Sequence, residues 1–466
     1  MSGSVRNSDL PSVTAALRRA ETRILLQIAM PLMGAYLAEL AMFLTTKMIV
    51  GRLGYLELAA VGIAADLTFE VLVILMGMLS IVGVLVAQSD GAGDKAQAGL
   101  AVRQGLLVAI AIGLPAMLLV WNLDTILELT GQDPQVIALA KPYLGAMSFS
   151  VLPVLWFSVL RIFVSAIART GIIMVITVAA VALNYVLTVV LVHGYAGLPA
   201  LGVLGAGWAT AIVSWLMFLA LVAYMFVTPA LRGYGIFLER LRINAKMCSE
   251  IIRLGLPVAA LVGIEAGLFV ATSILSGVIG AKTLATYQIM TGWIGIPFVI
   301  ALGMAEATMV RVAHGVGRNN MPSARNAGML GMAIGIALLA VLMVIPLGFP
   351  DLIVRIYMRA DDPTFTEIVA LVGHLMTIAA VFQIFDGLQA VASRALRGIK
   401  DTVVPLWLAG FGYWVLGIGG GSLLAFPFGL GATGLWLGLA AGLIATGSLL
   451  AWRFERLTKI DITPRQ

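Results

Sequence analysis

Apolar residues gather along this chain in long blocks separated by short polar breaks. Twelve blocks reach the length of about 20 residues that a helix needs to cross a bilayer. They cover residues 24–50, 59–88, 104–123, 140–166, 172–193, 203–227, 251–278, 286–312, 327–349, 368–393, 403–425 and 431–452. Inside hydrocarbon these spans must be helical, because lipid offers the backbone no hydrogen-bond partners. Their many glycines suit closely packed membrane helices.

The pattern repeats. Shifting the chain by 226 residues places Pro31 on Pro257, Gly51 on Gly277, Gly54 on Gly280, Leu58 on Leu284, Ala59 on Ala285 and Ile63 on Ile289. The GxG of Gly91 and Gly93 falls on Gly315 and Gly317 at offset 224. Ile167 and Thr170 fall on Ile399 and Thr402 at offset 232, and Leu201, Gly202 and Gly205 on Leu430, Gly431 and Gly434 at offset 229. Each repeat holds six spans, and an even number returns the chain to its starting side. The halves are therefore expected to be parallel repeats about an axis along the membrane normal, an arrangement common in secondary transporters. The expected organisation is an N-terminal arm (1–23), an N-lobe (24–230), a connector (231–250), a C-lobe (251–452) and a tail (453–466).

Composition narrows the class. Of the 466 residues 61% are hydrophobic and 11% charged, less than half the charged fraction of about 25% in soluble domains. One polytopic all-α membrane protein fits; several soluble domains or a disordered chain do not. Cys248 is the single cysteine, which excludes an intramolecular disulfide framework and a Cys-rich metal site. His193, His314 and His374 are never paired at a ligand spacing, and HExxH and GxxxxGK[ST] are missing, which argues against a zinc protease and a built-in ATP motor. The GxG at Gly91 follows a membrane helix and lacks the third glycine of a dinucleotide fingerprint, so it reads as a helix-ending turn. The stretch after Arg18, Arg19 and Arg23 is too long for a signal-peptide core and reads as a retained first span.

The net charge of +6 reflects topology rather than nucleic-acid binding. With the N-terminus inside, 23 of the 29 lysines and arginines lie at the cytosolic ends, including Arg161, the connector residues Arg232, Arg240 and Arg242, and the tail. Five fall outside (Arg52, Lys141, Lys282, Arg355 and Arg359), and Lys47 lies within a span. By the positive-inside rule both termini are cytosolic.

Charges within spans cost at least about 2.5–3.5 kcal/mol each and mark sites by default. They are Glu39 and Lys47 in span 1, Asp66 and Glu70 in span 2, Glu265 in span 7, Glu306 in span 8 and Asp386 in span 10. Acids lining a path attract cations and hold protons, because burial raises a carboxyl pKa. Glu39 and Glu265 differ by 226 and are repeat counterparts. Asp386 has no basic neighbour in sequence before Arg394, whereas Glu306 has Arg311 as a nearby counter-charge. Asp66 and Glu70 stand one turn apart and are placed to neutralise Lys47, a structural pairing as well founded as a transport role. His374 and Asn184 admit plain helix-packing roles.

Four segments, GRLGYLELAAVGI, VAQSDGAGD, LNYVLTVVLVHGYAGLPALGVLGAGWAT and QIFDGLQAVASRALRGIKDT, resemble the multidrug and toxic compound extrusion (MATE) transporters, in their bacterial NorM-like branch. The similarity runs over residues 24–452. It implies twelve helices in two six-helix lobes around a V-shaped cleft. It also implies export of organic, often cationic, compounds by exchange for H+ or Na+, without a cofactor or enzymatic step, in a bacterial inner membrane. The expected partners are small organic substrates and the bilayer, with no nucleic acid, and a monomer is expected. Carried over, Glu265 resembles the family's span-7 glutamate, Asp386 the span-10 aspartate of a C-lobe cation site open to H+ or Na+, and Asn184 the span-5 asparagine of the N-lobe polar site.

Two positions depart from the family pattern. Thr46, followed by Lys47, stands where many members have an aspartate, and Glu39 stands where a glutamine is expected. Seven residues are two turns, so Glu39 shares a face with Thr46 about 10 Å along the axis; a relocated carboxylate with Lys47 as its counter-charge is the expectation. Phe382 replaces a tyrosine often found one turn before the aspartate, which leans the reading towards protons. A lipid-linked-sugar flippase of the same superfamily is the alternative, disfavoured because it needs a cationic cavity. A membrane-embedded enzyme is the remoter one.

Overall fold

A computed structural model describes residues 10–195, 197–237, 242–358, 361 and 363–459, with side chains from Arg18 onward. Arg6, Arg240, Arg359 and Arg465 of the charge tally lie outside the described residues. Among the described residues every regular element is a helix. Among them eleven helices are long and apolar enough to cross a membrane, and two helices meeting at a 45° bend make a twelfth when taken as one span. The chain is a multi-pass membrane protein.

In the N-terminal repeat the spans are Leu10–Gly51 (span 1), Tyr55–Gly91 (2), Lys95–Trp121 (3), the bent pair Pro134–Ser148 and Val151–Ala166 (4), Gly171–His193 (5) and Val203–Val227 (6). In the C-terminal repeat they are Ala245–Ile279 (7), Ala281–Gly317 (8), Met321–Gly348 (9), Phe365–Gly398 (10), Val403–Ala425 (11) and Gly431–Thr458 (12). Each apolar block has its helix. The polar arm differs from expectation: span 1 is already helical from Leu10, through a stretch rich in Ala, Leu, Arg and Glu, all strong helix formers. Span 7 likewise starts at Ala245, where the Asn244 carbonyl oxygen Oδ1 accepts from the Met247 N–H at 3.1 Å and caps the first turn.

The helices form two compact units. One comprises Gly34–Gly263, the other Met1–Met33 with Ile264–Gln466. The divisions fall inside spans 1 and 7, shortly after Pro31 and Pro257, the prolines that the repeat places at equivalent positions. In the second unit the start of span 1 packs on span 8. Gly303 sits so close to Met33 and the Ala29 carbonyl that a Cβ there would fall 2.9 Å from the Met33 nitrogen. Glu21 accepts two hydrogen bonds from Arg311, both 2.7 Å.

Backbone angles bring out the repeat, and they correct its register at one point. Ala168 (φ 58°) and Lys400 (φ 64°) are left-handed residues at offset 232, and Gly202 (φ 56°) and Gly431 (φ 54°) at offset 229. After span 2, Gly93 has φ 80°; after span 8 the left-handed residue is Asn319, at φ 53°. Asp94 then accepts from the Gln97 N–H at 2.9 Å, and Asn320 from the Ser323 N–H at 3.0 Å. The offset is 226 throughout, so Gly93 corresponds to Asn319 and not to Gly317. Asparagine tolerates the left-handed region better than most residues, and so the glycine match at offset 224 was a false register. The Gly91 turn ends a helix, as expected.

Span 11 is the irregular one. Its middle, Phe411–Gly420, is a π-helix. Gly412, Gly417 and Gly421 on its inner side meet Gly438 and Gly442 of span 12, backbone against backbone. A Cβ at Gly412 would lie 2.9 Å from the Gly442 carbonyl oxygen. Small residues on both faces are what permits so close an approach.

Candidate functional site

Within the unit Gly34–Gly263, the charged residues of the spans are matched with one another. Arg161 of span 4 donates through Nη1 to Glu39 Oε1 at 2.7 Å, and its guanidinium lies 5.0 Å from the Tyr36 ring centroid. The arginine side chain is 10% exposed and the glutamate 33%. One and two turns further along span 1, Lys47 pairs with Asp66 of span 2 at 2.8 Å and sits 4.3 Å above the centre of the Phe43 ring. Phe43 in turn leans on Phe69, with ring centroids 5.9 Å apart. Glu70 lies exposed one turn beyond Asp66. Thr46 and Asn184 are both buried, and the Asn184 amide donates to Thr46 Oγ1 at 2.9 Å. Thr46 Oγ1 in turn donates to the Met42 carbonyl, 3.1 Å away. The Asn184 oxygen Oδ1 is buried with no hydrogen-bond partner among the described residues.

These contacts revise one expectation and bear out another. Lys47 is not the counter-charge of Glu39; Arg161 is. The positive-inside count places Arg161 among the cytosolic flanking charges because it stands five residues from the end of its block, yet its guanidinium is buried on Glu39. An arginine forms the stronger charge-assisted hydrogen bond here and stacks on Tyr36 at the same time. Asp66 neutralises Lys47, as the spacing of spans 1 and 2 suggested.

In the other unit the balance differs. Asp386 of span 10 is 2% exposed, and its oxygen Oδ2 has no hydrogen-bond partner among the described residues. Among the described residues, both amide atoms of the wholly buried Gln383, one turn before it, lack a partner, and so does the hydroxyl of the buried Tyr413 of span 11. Glu265 and Arg394 both lie within electrostatic reach of Asp386. Phe382 packs edge-on against Phe269 and Trp436, at centroid distances of 6.5 and 5.8 Å. A buried polar atom left unsatisfied costs about 1–3 kcal/mol, so several in one turn of one helix are a standing invitation to a ligand that brings charge or protons.

Glu306 does not pair with Arg311. Its partner is Arg394, at 3.8 Å, while Arg311 is bound by Glu21. The reason is helical geometry: residues five apart point about 140° away from each other around the axis. His374, exposed on span 10, approaches Thr433 Oγ1 at 3.4 Å.

The fold and these charge sets can now be set beside known proteins. The MatE family pattern matches this chain twice, over residues 31–190 and 257–422, and the two matches start at Pro31 and Pro257. The chain belongs to the MatE family. Two curated MatE relatives are similar over nearly their whole length. The chain is 36% identical over 442 residues to the probable multidrug resistance protein NorM of Synechococcus sp., covering 95% of each chain. It is 36% identical over 433 residues to the multidrug resistance protein NorM of Burkholderia vietnamiensis, covering 93% of each. The crystal structure of the eukaryotic MATE transporter AtDTX14 shares the fold, with a TM-score of 0.82 at 23% identity, over 95% of this chain and 100% of that one. MatE proteins are transporters and not enzymes, which agrees with the absence of catalytic motifs from the sequence. Sequence reasoning missed Arg161 and Tyr413. For Arg161 the signal was its place inside the apolar block 140–166; for Tyr413 it was the glycine-dense run FGYWVLGIGGG around it.

Proposed function

We propose that this MatE transporter exports organic, predominantly cationic, compounds from a bacterial cell by antiport with H+ or Na+. The observation that carries the reading is the buried, incompletely bonded carboxylate of Asp386 within reach of Glu265. Uptake of an external cation at Asp386 and Glu265 neutralises them and favours release of a cationic substrate. Discharge of that cation to the cytosol restores the negative charge that draws the next substrate in. The gradient supplies the energy, and the membrane potential adds about 2.3 kcal/mol per charge per 100 mV. On this reading the repeats 24–230 and 251–452 are the two lobes, both termini are cytosolic, the membrane is the inner one, and the protein works as a monomer.

Glu39 is assigned the second role. It takes the place of the carboxylate that Thr46 lacks, with Arg161 as its partner, and the Thr46–Asn184 pair forms the polar floor beside it. Lys47, Asp66 and Glu70 line the same set of spans, and Glu306 with Arg394 is placed as a structural pair. The flippase alternative gains no support, since Lys47 and Arg161 are each held by a carboxylate rather than open to a pyrophosphate.

The test is export of a fluorescent organic cation from proteoliposomes, with a proton gradient or a sodium gradient imposed separately. Export under at least one gradient, lost in Glu265→Gln and Asp386→Asn, is expected. No export under either would overturn the reading. Glu39→Gln should impair export as strongly as Glu265→Gln does, and near-normal export by that variant would remove Glu39 from the mechanism.

A further inference from the structure

Span 1 starts with two arginines that no acid answers. Arg19 and Arg23 stand four residues apart, so one turn of helix brings them to the same side, and both are exposed. The acid between them, Glu21, lies two residues from each and so on the opposite side, where both its oxygens are taken by Arg311 at 2.7 Å. Among the described residues neither Arg19 nor Arg23 has an acidic partner. Other arginines at the same end, by span count, are used within the protein: Arg325 donates to Glu455 at 2.7 Å and Arg453 to Asp401 at 2.6 Å.

Further into the membrane the same side turns apolar. A groove of about 590 Å³ runs along it from Arg19 to Pro31, within the range of about 300–1,000 Å³ typical of small-ligand sites. Its deeper part is formed by Leu26, Met30 and Pro31, and Met30 is 64% exposed. Arg23 and Met30 are two turns apart, about 10 Å along the axis. A cationic mouth thus stands above an apolar floor, in the order of headgroup and hydrocarbon in a bilayer. The repeat separates these two halves of the groove. At offset 226 Leu26, Met30 and Pro31 are answered by Ile252, Leu256 and Pro257, whereas Arg19 and Arg23 are answered by Ala245 and Ser249. Arg253 answers Gln27, so span 7 brings a single cation to these positions and span 1 a pair.

We infer that this groove holds one anionic phospholipid of the leaflet on the N-terminal side, with its phosphate between Arg19 and Arg23 and an acyl chain along Leu26 and Met30. Guanidinium groups bind phosphate oxygens through paired N–H donors. A zwitterionic lipid carries its own cation beside the phosphate, which two arginines repel, so the site selects net negative charge. A soluble anion would use the arginines alone and leave the apolar floor unfilled. The lipid rests against the stretch of span 1 that packs on span 8 through Glu21–Arg311 and Gly303, and so braces that packing. On the proposed topology its leaflet is the cytosolic one.

Native mass spectrometry of the purified full chain with added phosphatidylglycerol or phosphatidylcholine tests this, with the detergent melting temperature read alongside. Wild type should retain one phosphatidylglycerol in preference to phosphatidylcholine and melt at a higher temperature with it, because a ligand held only by the folded state stabilises that state. The double variant Arg19→Gln, Arg23→Gln should weaken retention by about tenfold or more, as expected for two cations lost from an anionic headgroup. Both side chains are exposed, so the variant should fold, and its melting curve without lipid reports that directly. Lys246→Gln with Arg253→Gln removes two exposed cations from the matching end of span 7 and should leave retention unchanged. An equal loss there would show that general surface charge holds the lipid, and would overturn the site. Equal retention of phosphatidylcholine by wild type, or unchanged retention in the Arg19/Arg23 variant, would overturn it too. Glycerol phosphate should not displace the lipid; displacement at equal concentration would assign the arginines to a soluble anion instead. None of these readouts involves export, so the lipid site and the proposed transport cycle stand or fall separately.

Discussion

The two repeats bear a glutamate at the same position, Glu39 and Glu265, and give their acids opposite surroundings. In the first repeat Glu39 is held by Arg161 and Asp66 by Lys47, at 2.7 and 2.8 Å. In the second, Asp386 has an oxygen with no hydrogen-bond partner among the described residues, and Arg394 lies 3.8 Å from Glu306. A carboxylate matched by a guanidinium is neutralised from within the protein, whereas one left short of partners is not. The two repeats are similar scaffolds in which Arg161 and Lys47 neutralise acids within the first; on the proposed mechanism Asp386 of the second takes its neutralising charge from outside.

The contrast can be attacked at four points. Asp386→Asn should have the largest effect on transport, lowering gradient-driven export by about 100-fold or more; export measured in proteoliposomes at wild-type rates would erase the distinction between the repeats. Glu39→Gln comes next, because it strands a mostly buried guanidinium. We expect a loss near the lower end of the 3–5 kcal/mol range typical of broken buried pairs, about 3 kcal/mol, since Glu39 itself is half-buried. The detergent melting temperature should fall, and adding Arg161→Met should restore much of it; a double variant no better than the single would show that the pair is not the coupled unit. Thr46→Val removes the acceptor of the Asn184 amide and should cost about 1–3 kcal/mol, read in the same melting assay. Lys47→Met should be the mildest, about 1 kcal/mol, because Asp66 is 59% exposed rather than buried. A strong export defect there would move the N-terminal chemistry from Glu39 to Lys47.

Hydropathy gave all twelve spans because the bilayer imposes a length on every helix that crosses it, and length is visible in one dimension. The pairing of Lys47 with Asp66 was visible for a similar reason: spans 1 and 2 are joined by a short turn, so their facing residues follow from counting. Glu39 and Arg161 are 122 residues apart, and nothing in the intervening chain says which helices will pack. Glu306 misled for the opposite reason, since Arg311 is near in sequence but lies around the other side of the helix. Tyr413 was hidden by the regular helix that an apolar, glycine-rich run suggests, whereas the chain there runs as a π-helix. The GxG register failed because letters were matched where the conserved quantity was a backbone angle.

That last point reaches beyond register. At the turn after span 4 the first repeat holds Ala168 and the second Lys400, at φ 58° and 64°, and after span 2 and span 8 a glycine in one copy answers an asparagine in the other. The side chains have drifted apart while the bend they serve has been kept, even at the strain of placing an alanine and a lysine where glycine would rest easily. What this gene inherited twice was the path of the chain, and mutation has been free to rewrite the wording along it as long as each corner still turns.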